Sequence, residues 1–201
     1  MILDQNRGID ELEEVAVPTG SPDDTLLDAK DHTSYRSQLG KINFFQNKTQ
    51  YWTCYRFSRL ASAAQAPKVV DLKALNKLIR EMRNNPVPLV IWKLNGPLRI
   101  MVVPDSSYQN NPDGSSQRGL CVFLCMFPEW KQTGCRGSLI EYESHKITRT
   151  TLNVTVAELY ALMKGYGTGQ WIRGLWADIS GEDVKLYMRT DAYNLVTTAK
   201  T

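Results

Sequence analysis

Residues 98–126 read LRIMVVPDSSYQNNPDGSSQRGLCVFLCM. The stretch opens on a short apolar run, Leu98, Ile100, Met101, Val102 and Val103, broken only by Arg99. Runs of that length bounded by turn signals fit a strand buried on both faces. Asp105 closes it. Pro112, Asp113 and Gly114 then supply turn chemistry, because proline presets φ and glycine accepts φ > 0. Gly119 to Met126 is a second apolar run, so the stretch predicts strand, turn, strand. A lone carboxylate closing a buried strand is costly without a partner, so Asp105 invites a metal or a donor.

Working downstream, Leu139–Thr148 predicts a third strand. Thr155–Met163 predicts a helix, entered through Thr155 and Glu158 as a capping-box pair. Gly165, Gly167 and Gly169 predict a kink or break before a helical continuation at Gln170–Ala177. Val184–Thr190 predicts a fourth strand ending at Asp191, and Ala192–Lys200 starts a last helix. The order strand, strand, strand, helix, strand, helix is an α/β pattern. It has three consecutive antiparallel strands and a later one that can join them in parallel.

Upstream, residues 1–33 are acidic and carry Pro18, Gly20 and Pro22, which predicts a disordered lead or linker. Residues 34–65 predict two short helices. From Asp71, a capping residue, Leu72, Leu75, Leu78, Ile79 and Met82 share one helical face. Lys73, Lys77, Arg80 and Arg83 share the other: either an ordinary solvated face or a basic stripe that tracks a phosphate backbone. Asn84, Asn85, Pro86 and Pro88 stop this helix, and a short strand at Leu89–Trp92 precedes a boundary at Asn95–Pro97. The expected division is therefore 1–33 lead, 34–95 helical segment and 96–201 α/β domain.

Composition sets the bounds. With 201 residues and 42% apolar, the chain suits one domain or two small ones. No apolar run reaches eighteen residues, so no membrane partner is expected, and MILDQNRGIDELEE does not read as a signal peptide. His32 and His145 are the only histidines and neither adjoins a cysteine pair. Cys54, Cys121, Cys125 and Cys135 therefore read as reduced thiols of an intracellular protein rather than as a zinc site. Residues 1–40 hold nine acidic and three basic side chains, and residues 41–201 hold twelve and twenty-one. The body, at +9, suits a polyanionic partner, while a solvated surface with an acidic head explains the same numbers.

Asp105 and Asp191 end the first and fourth strands. Parallel pairing of those strands puts both carboxylates at one end of the sheet, and Glu158 lies at the start of the helix between them. Such a triplet suits two divalent cations, about 3.5–4 Å apart, clamping the oxygens of a phosphodiester. Oxygen ligands favour magnesium or manganese. Singly, each has a plain structural role: Asp105 opens a turn, Glu158 completes the box with Thr155, and Asp191 caps the last helix. Their joint placement is what points to chemistry.

The order VVPDSSYQNNPDGSSQRGLCVFL, SLIEYESHKITRTTLNVTVAELYALM, QWIRGLW and VKLYMRTDAYNLV resembles the ribonuclease H domain of copia-type retrotransposon polyproteins. Residues 35–84 resemble the connection between reverse transcriptase and ribonuclease H in the same polyproteins. The resemblance, covering about residues 34–201, implies a ribonuclease H-like mixed sheet flanked by helices. It implies an endonuclease, a hydrolase that uses Mg2+ or Mn2+ to cut the RNA strand of an RNA–DNA hybrid during reverse transcription. Asp105, Glu158 and Asp191 match the catalytic and metal-binding positions. The implied partners are the hybrid and the remainder of the polyprotein, in a cytoplasmic particle or the nucleus. Three departures stand beside this. Adjacent aspartates occur only as Asp23 and Asp24 in the lead, so the polymerase motif is absent. Pro104 stands where the family has Thr or Ser, which predicts a lost ladder hydrogen bond. The family's fifth strand and fourth carboxylate would fall beyond residue 201, as in a truncated copy. An inactive remnant that only binds nucleic acid is the alternative reading.

Overall fold

The computed structural model describes residues 1–126, 136–192 and 195. The chain divides into two compact units, 2–89 and 90–201, with Met1 assigned to the second. Short strands β1 (Ile2–Leu3) and β2 (Leu89–Val90) flank the first unit in sequence. Its helices are α1 (Asn6–Asp10), α2 (Ala29–Gln46), α3 (Cys54–Ser62) and α4 (Val69–Asn84). The second unit holds β3 (Leu98–Ser107), β4 (Gln117–Met126), β5 (Gly137–Lys146), α5 (Val154–Ser180) and β6 (Lys185–Met188). It is an α/β unit with a mixed sheet in the order β5-β4-β3-β6. β3–β4 and β4–β5 are antiparallel, and β3–β6 is the one parallel pair. Most of the expected last helix lies outside the described residues, as does Cys135.

Alternation along β3 sends Ile100, Val102 and Pro104 inward, where Ile100 and Val102 form a core with Val122, Leu124 and Ile172. Pro104 does not damage the sheet. Arg189 N donates to Val102 O at 2.8 Å, so the backbone polar groups of Val102 face β6. Two residues on, the nitrogen of Pro104 faces the same way. The parallel register ends at Val102 and Met188. The missing N–H thus falls where β6 leaves the sheet, and the β3–β4 ladder continues through Pro104 and Leu120.

The glycine series does not break the helix, contrary to expectation. α5 runs unbroken for 27 residues. Its buried positions are Ala157, Ala161, Gly165, Gly169 and Ile172, spaced so that all share one face. A Cβ at Gly165 would meet Pro104 Cβ and Val102 Cγ1 at 3.1 Å. One at Gly169 would meet Val102 Cγ2 at 2.7 Å and Leu186 Cδ1 at 2.8 Å. These glycines are there for close approach of helix to sheet, a packing role that local propensity does not reveal. Gly181, at φ +72°, ends α5 in the left-handed conformation.

In the first unit the acidic segment expected to be disordered carries structure. Ile9 and Leu12 are fully buried with Tyr35, Leu39, Ile42, Leu72, Leu75, Ile79 and Met82. The apolar spacing Ile9, Leu12, Val15 is helix-like and was masked by its acidic neighbours. Residue 15 is also tied to α4. Val15 N donates to Asn76 Oδ1 at 2.9 Å, and Asn76 Nδ2 returns a bond to Val15 O at 2.7 Å. The helical unit therefore takes in the lead, and the division falls at 89/90 rather than 95/96. α2 also starts earlier than expected, at Ala29, because the Asp28 side chain accepts from Asp31 N. α4 starts at Val69, with Asp71 at N3 accepting from Lys68 N. Buried Tyr35 donates to Leu60 O at 2.8 Å. Burial and the Asp71 carboxylate push its phenol well above the ordinary tyrosine range.

The glycines of α5 should separate by position in urea denaturation. Gly167 has open space at its Cβ position, so Gly167→Ala should gain about 0.5–1 kcal/mol from helix propensity alone. Gly169→Ala should instead cost a net ~1 kcal/mol, because overpacking against Val102 and Leu186 outweighs that gain. Equal stabilisation by both would mean that α5 does not press on β3.

Candidate metal centre

Three elements deliver three carboxylates. β3 carries Asp105 two residues before its end, exposed, with its Oδ1 accepting from Ser106 N at 2.7 Å. β6 runs parallel to β3, so the segment after Met188 emerges at the same end of the sheet and brings exposed Asp191 there. α5 carries Glu158, half-buried. Oxygens of all three lie within 4.8 Å of one another, the only such group of three potential metal ligands among the described residues.

The start of α5 shows what Glu158 is for. Asn153, not Thr155, is the N-cap, its side chain accepting from Val156 N at 2.9 Å. The helix therefore begins at Val154, which puts Glu158 at the fifth helical position, two residues beyond the third position that closes a capping box. Its Oε1 instead accepts from Ser106 Oγ at 2.7 Å. Sequence reasoning missed Ser106. The strand period offered a signal: two residues beyond Pro104, Ser106 belongs to the face that meets α5.

The cluster is electrostatically uncomfortable. Burial raises the Glu158 carboxyl above its ordinary value; Asp105 and then Asp191 raise it further, while the Ser106 hydroxyl opposes them. Three carboxylates this close, one of them partly desolvated, favour either a proton or a cation between them. A set of carboxylate oxygens alone is a hard donor set, and it fits a divalent cation.

The basic residues on α4 do not share one environment. All four are exposed, but they divide between two sides of the helix. Lys73 pairs with Asp23 at 2.6 Å and Arg80 with Glu14 at 2.5 Å, both acids belonging to the lead. Lys77 instead faces a groove beside α3 with Arg59. Arg83 is exposed near the end of α4.

No family model matches the chain, and no curated protein matches it. No helix among the described residues is long and apolar enough to cross a membrane.

A carboxyl raised in the folded state contributes stability below its unfolded pKa and loses that contribution as pH climbs through the folded value. The metal-free chain should therefore lose stability as pH rises upward from about 4.5, the ordinary glutamate value. Glu158→Gln should flatten that loss. Added Mg2+ or Mn2+ should raise the melting temperature of the unsubstituted chain at neutral pH and much less below pH 4. Ser106→Ala should move the onset of the cation effect to higher pH, because the hydroxyl favours the ionised carboxylate. A cation effect of equal size in Glu158→Gln would place the binding elsewhere.

Proposed function

We propose that the sheet-containing unit is a ribonuclease H-like domain of a copia-type retrotransposon polyprotein. It hydrolyses the RNA strand of an RNA–DNA hybrid with a divalent metal, magnesium or manganese. The observation that carries this reading is the convergence of Asp105, Glu158 and Asp191 at one end of a mixed sheet. A carboxylate near the end of the first strand, one from the crossing helix and one closing the last strand segment, in that chain order, are also what the resemblance implies.

Asp105, Glu158 and Asp191 would hold the metal, which when bound supplies charge neutralisation at the scissile phosphate and a more acidic water. The chain's own residues do the rest. β3 carries Asp105, and parallel β6 directs the segment bearing Asp191 out at the same end of the sheet, so the two aspartates meet there. Ser106 orients Glu158 and favours its ionised form, the form a cation needs. The substrate end of the site is open, since Asp105 and Asp191 are exposed. A hybrid's wide, shallow groove displays 2′-hydroxyls, which distinguish the strand to be cut. The partners in this reading are the hybrid and the rest of the polyprotein, including its reverse transcriptase, in a cytoplasmic particle or the nucleus.

A second reading is an inactive remnant that binds nucleic acid without cutting it. One observation favours it: three carboxylates, not the family's four, converge among the described residues.

The two readings part in one assay, cleavage of an end-labelled RNA–DNA hybrid by this chain in Mg2+ or Mn2+. The enzyme reading expects slow, metal-dependent cutting of the RNA strand, stronger in Mn2+. Asp105→Asn or Asp191→Asn should reduce it at least about 100-fold, the loss typical when a preorganised charge-stabilising group is removed. Pro104→Thr should leave the rate within about twofold, because the nitrogen at 104 faces the end of the β6 ladder. No cutting in either metal, with the cation-dependent rise in melting temperature intact, would leave the remnant reading in place.

A further inference from the structure

We propose that the groove between α3 and α4 binds single-stranded nucleic acid, with phosphates on Arg59 and Lys77 and a base stacked on Tyr55. This site lies in the helical unit and does not rest on the hydrolytic reading above.

The polar surface of α4 is divided by the lead. On one side, Lys73, Asn76 and Arg80 face residues 14–17. Asp23 and Glu14 neutralise the two cations there, and Asn76 is consumed by the backbone of Val15. An anion approaching that side would have to displace a carboxylate already paired. On the other side, Lys77 shares a groove with Tyr55, Arg56 and Arg59 of α3. Arg56 pairs with Glu81. Arg59 and Lys77 are exposed and have no ion pair among the described residues. The lead thus confines the available positive charge of this helix pair largely to one groove.

The rest of the lining suits the same ligand. Leu60 and Ala74 supply apolar surface beside the two cations. Tyr55 stands at 36% exposure, an aromatic ring accessible at the groove. Asp71 also lines the groove, about 9 Å from Lys77 along the helix axis at 1.5 Å per residue. It makes one end of the groove acidic and directs an anion toward the Arg59–Lys77 end. Cations that track a backbone beside an accessible aromatic ring are the arrangement that holds unpaired strands, since every base has a face to stack. A paired duplex keeps its bases inside and gives Tyr55 nothing to stack on.

The test is fluorescence anisotropy of the full chain with labelled oligothymidylate across a salt series, with chelator present so that no metal-dependent cutting interferes. Arg59→Gln with Lys77→Gln should weaken binding at least about tenfold and reduce the salt slope by about 1.4, the value for two phosphate contacts on a single strand. Tyr55→Leu should weaken it about fivefold or more with the salt slope unchanged. Lys73→Gln with Arg80→Gln, the pair already neutralised by the lead, should change affinity less than threefold. All four cations are exposed, and circular dichroism melts will show whether each variant is folded. Equal losses from the two double substitutions would mean diffuse attraction to a basic surface and overturn the site. So would a fully base-paired hybrid bound as tightly as the single strand and insensitive to Tyr55→Leu, or no measurable binding at low salt.

Discussion

The close seating of α5 on β3 is the constraint on which the second unit depends. Ala157, Ala161, Gly165 and Gly169 give the helix a face with almost no side chain, so its backbone comes down onto Val102, Pro104 and Leu186. Larger residues there would lift the helix by a side-chain layer. The first casualty would be the bond between Ser106 and Glu158, because these two groups sit on the elements that would separate. Packing and chemistry are coupled at this contact: the small residues that lower the helix also set how far a carboxylate reaches over the strand end.

Pro104 and Gly165 form a matched pair within that contact. The ring is buried under the helix, and the glycine leaves room for it. Proline in a central strand ordinarily removes a ladder bond. Here it stands where the neighbouring strand departs, so the rule about proline holds and the site simply avoids its cost. The departure then carries Arg189, Thr190 and Asp191 away from the sheet toward the carboxylates.

Much of this was legible in the sequence. The four strands, the parallel return of the last, and Asp105, Glu158 and Asp191 all follow from apolar runs, turn residues and connection rules. What was not legible had particular causes. Gly165, Gly167 and Gly169 read as a break because propensity is local, whereas Gly165 and Gly169 are fixed by contacts with β3 and β6 more than fifteen residues away. Thr155 looked like the cap because it completes a box with Glu158, yet Asn153 competes two residues earlier and wins. The lead looked disordered because its charge conceals Ile9 and Leu12. The basic face of α4 looked continuous because the helix was read alone, without Asp23 and Glu14 lying against one side of it.

The short pairing of β6 has a consequence for how the candidate centre assembles. Only four residues of β6 join β3, at the edge of the sheet among the described residues, and the ladder ends where proline offers no donor. Strand ends of this kind open at a small fraction of the global unfolding free energy. Asp191 hangs from that end, while Asp105 and Glu158 sit on the sheet's interior strand and on the helix. Any cation that engages all three fastens the loosest hem of the sheet to its most secure seam. Occupancy of the centre and closure of that edge then become a single equilibrium, and amide exchange along Lys185–Met188 reports on both.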